Sequence, residues 1–467
     1  MKMKTKIWTP VFDGNSIDAL IPEVWAAEAL MVLEANAVAA GLVYRDFEPN
    51  IAQFGDVVNA HRPAKFTTKR KGYDNDVVTQ AAVAENIPVV LNQHLYTSFI
   101  IKDGEESKSF KDLVNLYLTP ALESINQAMD IMVLSQVYHF MGNAVGKLGT
   151  ALDAAAIIEV ETKFNTLHVP PGQRWGLLTP QAKGQVSSID KFTDAHRIGD
   201  DGSMIRTGAL GYLFGTNWVM AQNAPSIAAG NTVVTTALTA AKAAGTTVLA
   251  VTAFAAEHDA APGGWLTVAG DMTPQKVISV DNVAETITIS PGLRRACVDT
   301  AVVTIYTPGA ITATGALDMT AAGNVLPILY DGFSVSPQQG QLMSISTVGA
   351  VEAWNVESHA SLQGPTTTSA LLDTPTEAAH LENAVVGIGP AGNYSFCFHP
   401  EAIALVTRPL AAPRAGTGAL SAVANFNGLS IRVVITYDGV KQGHLVTVDM
   451  LAGIKILNTS LGIPLLS

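Results

Sequence analysis

The chain has 467 residues, of which 48% are hydrophobic and only 15% are charged, and its formal net charge is −12. This length predicts two or three domains. A charged fraction well below the roughly 25% of an average soluble domain favours permanent contacts between copies of the chain. The negative net charge argues against a surface that grips nucleic acid, because such a surface needs concentrated positive charge. It still permits non-specific contact with DNA.

Targeting and redox features point to a protein that stays in a reducing cytoplasm. The longest uncharged stretch, 207–241, is interrupted by polar residues and by Pro225, so no membrane span is predicted. The apolar segment near the start is too short for a secretory signal and meets Asp13. Cys297 and Cys397 lack any CxxC spacing, so neither a disulfide framework nor a cysteine metal site is predicted.

The first hundred residues predict an arm and a ribbon. We expect an N-terminal arm over 1–55, with a helix from Pro22 to Ala40 that stops at Gly41. Residues 56–101 are predicted to form an extended β loop and peripheral strands. In this loop 57–68 pairs with 76–83 across a turn at 69–75, and a further strand covers 87–101. An isolated ribbon is marginally stable, so it should lie on something, such as a neighbouring subunit.

The next segment carries the strongest helical pattern of the chain. Apolar residues at three-four spacing predict a helix over Pro120–Met141, with Thr119 as N-cap, in a peripheral region spanning 102–170. At about 1.5 Å per residue it would be roughly 33 Å long and could act as a spine. A helix over 151–167, a strand at 175–178 and a short helix after Pro180 follow. This alternation predicts the α+β class, and 171–230 is taken as a separate segment of that fold.

The second half of the chain is predicted to be almost entirely β. Thr-Val runs separated by Pro-Gly turns predict a small all-β domain over 231–310, with strands at 246–252, 265–268, 276–280 and 286–290. Residues 311–383 are interpreted as a β extension or a long connection. In the last segment, 384–467, paired strands are expected at 429–437 and 443–457, followed by a short tail at 462–467.

Three stretches of this sequence resemble one family. The glycine-spaced run GALGYLFGTNWV at 208–219 is similar to a strand in the axial domain of tailed-phage major capsid proteins. The run YSFCFHPEAIALVTRPL at 394–410 is similar to a block in the coat proteins of scaffold-assembled, short-tailed phages. The runs GLSIRV at 428–433 and DMLAGI at 449–454 resemble the closing strands of that branch, although Ala452 stands where an aromatic residue is more usual.

The resemblance implies a fold and a function. The fold would be the tailed-phage major capsid fold, with N-terminal arm, extended β loop, spine helix, peripheral and axial domains, and an inserted β-barrel-like domain at 231–310. The chain would build pentamers and hexamers of an icosahedral shell around a double-stranded DNA genome. Its other partners would be a scaffolding protein, a portal protein at one vertex and, optionally, a decoration protein. It would lie in the virion capsid, and in the host cytoplasm during assembly.

A basic cluster in the extended loop is the candidate contact site between subunits. It consists of Arg62, Lys65, Lys69, Arg70 and Lys71, with Phe66 and Tyr73 among them. We expect it to meet an acidic patch on the adjacent subunit, for which Asp103, Glu105 and Glu106 are candidates, and to set register more than affinity. Contact with nucleic acid and a merely solvated loop are the alternatives.

Other short patterns do not assemble into a catalytic, cofactor or metal site. Residues 387–392 spell GxGxxG, but Pro390 lies inside it and strand-like residues follow where a helix should begin. Ser188 and Lys191 form an SxxK without its partner motifs. The acidic group formed by Asp190, Asp194, Asp200 and Asp201 lacks calcium-loop spacing, and the ten histidines are scattered.

Three other functions remain open at this point. A cellular nanocompartment shell would share the fold but enclose an enzyme. A phage decoration or receptor-binding protein is suggested by the Thr- and Gly-rich middle, although the long spine helix speaks against it. An enzyme is least favoured, because no nucleophile, base and orienting group occur at a recognisable spacing.

Overall fold

Of the predicted N-terminal arm, 1–55, the structure describes residues 38–45. The computed structural model describes residues 38–45, 57–62, 66, 68–73, 76–77, 79–80, 85–91, 93–102, 117–193, 208, 210–227, 233–252, 262–306, 309–310, 328–331, 342–347, 350–355, 361–362, 367–370, 385–414, 419–426 and 429–467. Most of the helix predicted over 22–40 therefore lies outside the described residues. Helix α1 (Val38–Leu42) contains its last residues and continues through Gly41, the predicted stop, to Leu42.

A two-stranded ribbon follows, with a different second strand from the one predicted. Strand β1 (Val57–Arg62) pairs antiparallel with β2 (Glu85–Val90), in a register that is symmetric about position 73–74, inside the predicted turn. The predicted partner at 76–83 was wrong. Asp76 and Val77 are exposed, whereas Val89 and Leu91 are buried, so the apolar positions that anchor the ribbon lie further along the chain. The single strand predicted over 87–101 is divided, since β3 begins again at Gln93 and runs to Lys102.

The spine helix has the predicted extent but changes its form. Helix α2 (Thr119–Ser135) is α-helical and leads directly into a 3₁₀ helix over Gln136–Asn143. The N-cap is Leu118 and no side-chain cap is formed, so the prediction of Thr119 as N-cap was wrong. Leu122, Ile125 and Met129 on its apolar face are buried.

Short elements then alternate as the sequence predicts. They are β4 (Val145–Gly146), α3 (Ala154–Thr166), β5 (Trp175–Leu178), α4 (Pro180–Ser187), α5 (Asp190–Thr193), β6 (Gly211–Leu213), β7 (Thr216–Met220) and β8 (Ser226–Ile227). Asp153 and Thr179 cap α3 and α4 by accepting hydrogen bonds from backbone N–H groups. The run at 208–219, expected as one strand, is a hairpin. Phe214 and Gly215 both have positive φ, 48° and 71°, as a two-residue type I′ turn requires.

The next six strands close into a small barrel. They are β9 (Val233–Ala237), β10 (Val248–Ala250), β11 (Trp265–Val268), β12 (Gln275–Asp281), β13 (Thr286–Ser290) and β14 (Val302–Tyr306). The sheet order is β10-β13-β12-β11-β14-β9. The two end strands meet through a Leu238–Val251 bridge and a 2.8 Å hydrogen bond from Thr252 N to Ala237 O. A separate cluster that includes Leu249, Leu266 and Ile287 fills its interior.

A second all-β region follows the barrel. Its strands are β15 (Gly309–Ala310), β16 (Ile328–Asp331), β17 (Leu342–Thr347), β18 (Ala350–Asn355), β19 (Ser361–Leu362), β20 (Thr367–Ala370) and β21 (Val385–Ile388). They form one seven-stranded sheet of order β18-β17-β21-β15-β16-β20-β19. The described strands of this region therefore favour a β extension over an irregular connection.

The last segment completes two further sheets. Its strands are β22 (Gly392–Phe398), β23 (Ile403–Arg408), β24 (Leu420–Phe426), β25 (Leu429–Asp438), β26 (Gly443–Ile456) and β27 (Gly462–Leu466). One sheet has the order β4-β27-β22-β5-β7-β6, and β8 also pairs with β22. The other, the closing sheet, has the order β23-β26-β25-β24, with β3 pairing along β26. The paired strands predicted at 429–437 and 443–457 are confirmed.

The final residues are not a tail. Strand β27 pairs with β22 on one side and with β4 on the other, and Gly462 to Leu466 are all buried. The prediction of a short tail was therefore wrong, because Ile463 and Leu465 of this strand are part of a buried hydrophobic cluster.

The core lies between the spine helix and the two last sheets. Helix α2 contacts β3 and β26, and the 3₁₀ helix contacts β27. The ring centroids of Phe140 and Phe396 are 5.1 Å apart, and those of Phe396 and Phe398 are 4.9 Å apart in a stacked arrangement. The chain thus belongs to the predicted α+β class.

Candidate functional site

The base of the ribbon is anchored on the closing sheet. Val89 and Leu91 pack with Ala404, Val406 and Leu451 in a small buried cluster on the face opposite α2. A Cβ at Gly453 would lie 2.5 Å from the carbonyl oxygen of Val90 and 3.0 Å from Leu91 Cδ2, so any side chain there would clash with the ribbon where it crosses β26. These contacts hold the base of the ribbon against the closing sheet.

The far part of the ribbon presents cations and aromatic rings to solvent. Lys69, Arg70 and Lys71 are exposed, Phe66 is 66% exposed and Tyr73 is fully exposed. Exposure of these aromatic rings to water is unfavourable, and burying them against another surface would lower the free energy. We refer to residues 66–73 as the ribbon tip.

Several of the predicted contact residues lie outside the described residues. The backbone of Arg62 ends β1, and its side chain lies outside the described residues, as does Lys65. Asp103, Glu105 and Glu106 also lie outside, immediately after the end of β3 at Lys102. The pairing of the ribbon tip with these acids stays a prediction.

The GxGxxG run is explained by close packing between strands. Strand β21 contains its first two residues, Gly387 and Ile388, and β22 begins at its last glycine. A Cβ at Gly387 would lie 3.0 Å from the Cα of Gly264 in the barrel, and one at Gly389 would lie 2.9 Å from the Cβ of Leu342. The glycines allow the barrel, β17 and β21 to approach one another.

The other short patterns find structural roles. Ser188 Oγ donates to Gln185 O at 2.6 Å at the end of α4. Asp190 begins α5, while Asp194, Asp200 and Asp201 lie outside the described residues. Within the described ranges, no three His, Cys, Asp or Glu side chains come together in a way that could hold a metal ion. None of the described helices combines the length and apolar character needed to span a membrane.

The family-like run at 394–410 lies at the junction of the two last sheets. Strand β22 belongs to one sheet and β23 to the other, and His399 between them accepts a hydrogen bond at its Nδ1 from Glu401 N. Tyr394, Phe396 and Phe398 are fully buried, and Tyr394 donates from its hydroxyl to Pro390 O at 2.7 Å. Burial raises the pKa of Tyr394 well above its ordinary value. This run therefore contributes mainly to the interior.

Two arginines that the sequence reasoning missed join the barrel to the rest of the subunit. Arg294 donates to Ala144 O, and Arg295 donates to Gly146 O at 2.9 Å and lies 3.2 Å from Glu159 of α3. Arg295 also lines a cavity of about 300 Å³ at the start of α3. The sequence signal was two adjacent cations shortly after the Pro291-Gly292 turn, in a domain (231–310) whose only other Lys or Arg residues are Lys242 and Lys276.

Two buried carboxylates were also missed. Asp449 of β26 pairs with Arg432 of β25, and Asp130 of α2 accepts a hydrogen bond from Ala40 N at 3.3 Å. Both lie in otherwise apolar runs, Val-Asp-Met and Met-Asp-Ile, where an acid is expensive to bury. That position was the available signal.

Comparison with known proteins gives only remote structural likeness. No family model matches the chain, and no curated protein matches it. A solved structure described as Mycobacterium phage Che8 is 10% identical, with a TM-score of 0.42, covering 92% of this chain and 90% of the other. The capsid of Cyanophage P-SCSP1u is 10% identical, with a TM-score of 0.38 and 91% and 90% coverage.

A third structure, the mature capsid of bacteriophage PhiM1, is 8% identical, with a TM-score of 0.38 and 91% and 86% coverage. These identities and TM-scores are too low to establish a shared fold. The function has to be inferred from the chain's own residues.

Proposed function

We propose that this chain is the major capsid protein of a tailed double-stranded DNA phage, and that it builds a closed icosahedral shell from pentamers and hexamers. The observation that carries the proposal is the ribbon. It is anchored at its base on the closing sheet and displays three cations and two exposed rings at its tip. An exposed surface of this kind is typical of a site that binds another molecule. The sequence run at 394–410 and the barrel inserted between β8 and β15 favour this family.

The proposed division of the chain follows the same family. The N-terminal arm would comprise 1–55, the extended loop 56–101 and the peripheral region 102–170. The axial domain would be built from 171–230 and 384–467, with the barrel at 231–310 and the β extension at 311–383. Strands β5, β7 and β8 pairing in one sheet with β22 and β27 support an axial domain made of two separated segments.

The ribbon tip is proposed to contact the adjacent subunit. Lys69, Arg70 and Lys71 would face Asp103, Glu105 and Glu106 of that subunit, with Arg62 and Lys65 completing the basic side. The net charge of −12 makes a second copy an attractive partner for a basic tip. Charge pairs of this kind fix register and speed association more than they add affinity.

Other partners follow from the shell function. A scaffolding protein would direct assembly, a portal protein would occupy one vertex, and a decoration protein could bind outside. Packaged DNA would touch the inner surface without sequence preference, because the acidic chain offers no broad positive footprint. The protein would act in the host cytoplasm during assembly and then in the virion. The proposed role is structural and not catalytic.

A nanocompartment shell is the closest alternative, and its enclosed cargo would be an enzyme instead of DNA. A decoration protein is the other alternative, and it would remain a small oligomer. Light scattering on the purified chain, expressed alone and together with the proposed scaffolding protein, separates a shell from a decoration protein, and the enclosed cargo, DNA or enzyme, separates the two kinds of shell. Particles of a single large size support the shell, whereas a monomer or trimer under both conditions contradicts it.

A further inference from the structure

Asp271 is a carboxylate enclosed in the barrel, in the loop between β11 and β12. Its side chain is fully buried. Oδ2 accepts hydrogen bonds from Arg294 N at 2.9 Å and from Gln275 Nε2 at 3.0 Å, and Oδ1 accepts one from Thr273 Oγ1 at 3.2 Å. A buried carboxylate needs such donors, because burial without them is costly. The carboxylate therefore fixes the backbone of Arg294 against the β11–β12 loop.

The loop that carries Arg294 is also fixed to the barrel on both sides of this residue. We name residues 291–297 the latch loop. Leu293 and Cys297 are buried in the interior cluster of the barrel, and the backbone N–H of each donates to a carbonyl of the segment 242–246 at 2.9 Å. The two arginines of the loop lie between these fixed points. The barrel thus presents both guanidinium groups in a set direction.

Both arginines donate to the backbone beside an outer strand of the subunit body. Within the described part of the chain, β4 is the last strand of its sheet and pairs with β27 alone. Arg295 Nη1 donates to Gly146 O at 2.9 Å, and Arg294 Nη1 donates to Ala144 O just before the strand. A strand at the end of a sheet presents carbonyls that no neighbouring strand satisfies. The guanidinium groups supply donors there.

Two further contacts join the barrel to the same segment of the body. Leu148 N donates to Met272 O of the β11–β12 loop at 3.3 Å. Arg295 Nη2 lies 3.2 Å from Glu159 Oε2 of α3, and both side chains are partly exposed. A partly exposed ion pair contributes little free energy, so we expect the hydrogen bonds from the guanidinium groups to the carbonyls to dominate. The barrel is thereby joined to the residues that link the spine helix to α3.

We propose that the latch loop holds the barrel in one orientation against the residues that link the spine helix to α3, and that Asp271 is the positioning residue that directs the two arginines. Domains that share a small interface change their relative orientation by default. Without the latch loop, contacts such as the packing of Trp265 in the main core would keep the barrel attached but would restrict its orientation less. The proposal concerns the single subunit and does not depend on the shell function.

The distance between two spin labels on full-length, unassembled subunits tests the proposal. One label is attached through Val283→Cys, in the turn between β12 and β13, and the other through Ile158→Cys on α3, since both positions are exposed. Cys297 and Cys397 are buried, so the labels should attach to the introduced cysteines. We expect one narrow distance distribution in the otherwise original chain.

Replacing Arg294 and Arg295 together with methionine should broaden this distribution. The amide of Leu148, which donates to the barrel, should exchange with solvent at least about tenfold faster, because charge-assisted hydrogen bonds next to it are lost. The amides of Val277 and Ile289, which donate within the barrel, should keep their protection. Reorientation would then be separated from unfolding. An unchanged narrow distribution, or a loss of protection at Val277 and Ile289, would overturn the proposal.

Substitutions of Asp271 test its positioning role while both arginines stay in place. Asp271→Leu removes the acceptor and should broaden the distance distribution, whereas Asp271→Asn keeps one acceptor oxygen and should have a smaller effect. A narrow distribution in Asp271→Leu would contradict the positioning role, and if that variant unfolds the barrel, Asp271→Asn decides in the same way. Lys242→Met is the control, because it removes another cation of the barrel outside the latch loop, and it should leave the distribution unchanged.

Discussion

Arg432 and Asp449 lie opposite each other on neighbouring strands and form a two-point ion pair. Arg432 Nε donates to Asp449 Oδ1 at 2.9 Å, and Arg432 Nη2 donates to Oδ2 of the same carboxylate. His94 Nε2 on β3 lies 3.5 Å from Oδ2. This carboxylate connects three strands of the closing sheet on the face that carries the ribbon.

Removing the arginine should destabilise the subunit strongly. Burial by itself raises the pKa of Asp449, but hydrogen bonds from His94 and Arg432 and the charge of Arg432 outweigh it, and the pKa is lowered. Arg432→Met leaves the carboxylate buried with one cation fewer and should cost roughly 3–5 kcal/mol in urea unfolding. Arg432→Met combined with Asp449→Leu should recover most of this loss. Lys441→Met, at an exposed position, is the control and should change little.

The same pair predicts a dependence on acid. A carboxyl whose pKa is lowered by folding stabilises the fold above its ordinary pKa of 3.8, and this stabilisation disappears as the pH falls toward the lowered value. The difference in unfolding free energy between the original protein and Arg432→Met should therefore be constant near neutral pH and shrink below about pH 4. A difference that stays constant into strong acid would show that the pair contributes through packing alone.

The barrel is predicted to fold by itself. The chain enters it at Val233 and leaves it at Tyr306, which are paired neighbours, and its interior cluster is separate from the main core. A fragment of residues 231–310 should show dispersed amide resonances and one cooperative unfolding transition. Leu266→Ala should destabilise it by about 2–5 kcal/mol, whereas Val283→Ala at a 96% exposed position should change little. Trp265 belongs to the main core, so its fluorescence should report water exposure in the fragment.

Gly387 should be intolerant of substitution for reasons of packing. Gly387→Ala places a methyl group against Gly263, Gly264 and Ser344, where the barrel meets β17 and β21. Overpacking of this kind costs about 1–3 kcal/mol, which thermal unfolding would detect. Gly439→Ala is the matched control, because a Cβ there meets nothing within 4 Å. Equal stability of both variants would contradict the packing explanation of the GxGxxG run.

Reversing the charge of the ribbon tip should block assembly without unfolding the subunit. Lys69, Arg70 and Lys71 are exposed, so replacing all three with glutamate should leave the melting temperature within a degree or two. The yield of assembled particles should fall sharply, because the tip would then repel the acidic neighbour. Replacing the exposed Lys102 and Lys441 with glutamate tests whether any loss of positive charge has the same effect. Normal assembly of the tip variant, combined with poor DNA retention, would favour the nucleic-acid alternative.

Patterns of neighbouring residues correctly predicted those helices and strands whose formation depends on local sequence. Three-four spacing identified the spine helix over 120–141, and Thr-Val runs between Pro-Gly turns identified β11 and β13 with their observed bounds. The strand that pairs with β1 could not be predicted from local patterns. Its position depends on the packing of Val89 and Leu91 in a cluster that includes Ala404 and Leu451, more than 300 residues away.

The closing residues illustrate the same limit. The segment from Gly462 to Leu466 is too short to show a periodic pattern of apolar residues. Its position between β22 and β4 depends on contacts with Phe140 and Phe396. Of the candidate contact site, sequence composition identified the basic ribbon tip, since cations are rare in this chain. It could not identify the partners of Asp130, because Ala40 lies 90 residues earlier and Asn223 lies 93 residues later.

The central claim is that copies of this chain build an icosahedral shell, and negative-stain electron microscopy tests it most directly. The chain should be imaged after purification from cells that also express the proposed scaffolding protein, with the ribbon-tip variant as comparison. The account predicts hollow, uniform particles with two-, three- and five-fold symmetric views for the original chain, and few or none for the variant. Only small, separate oligomers of the original chain, in the presence of scaffolding protein, would contradict the account.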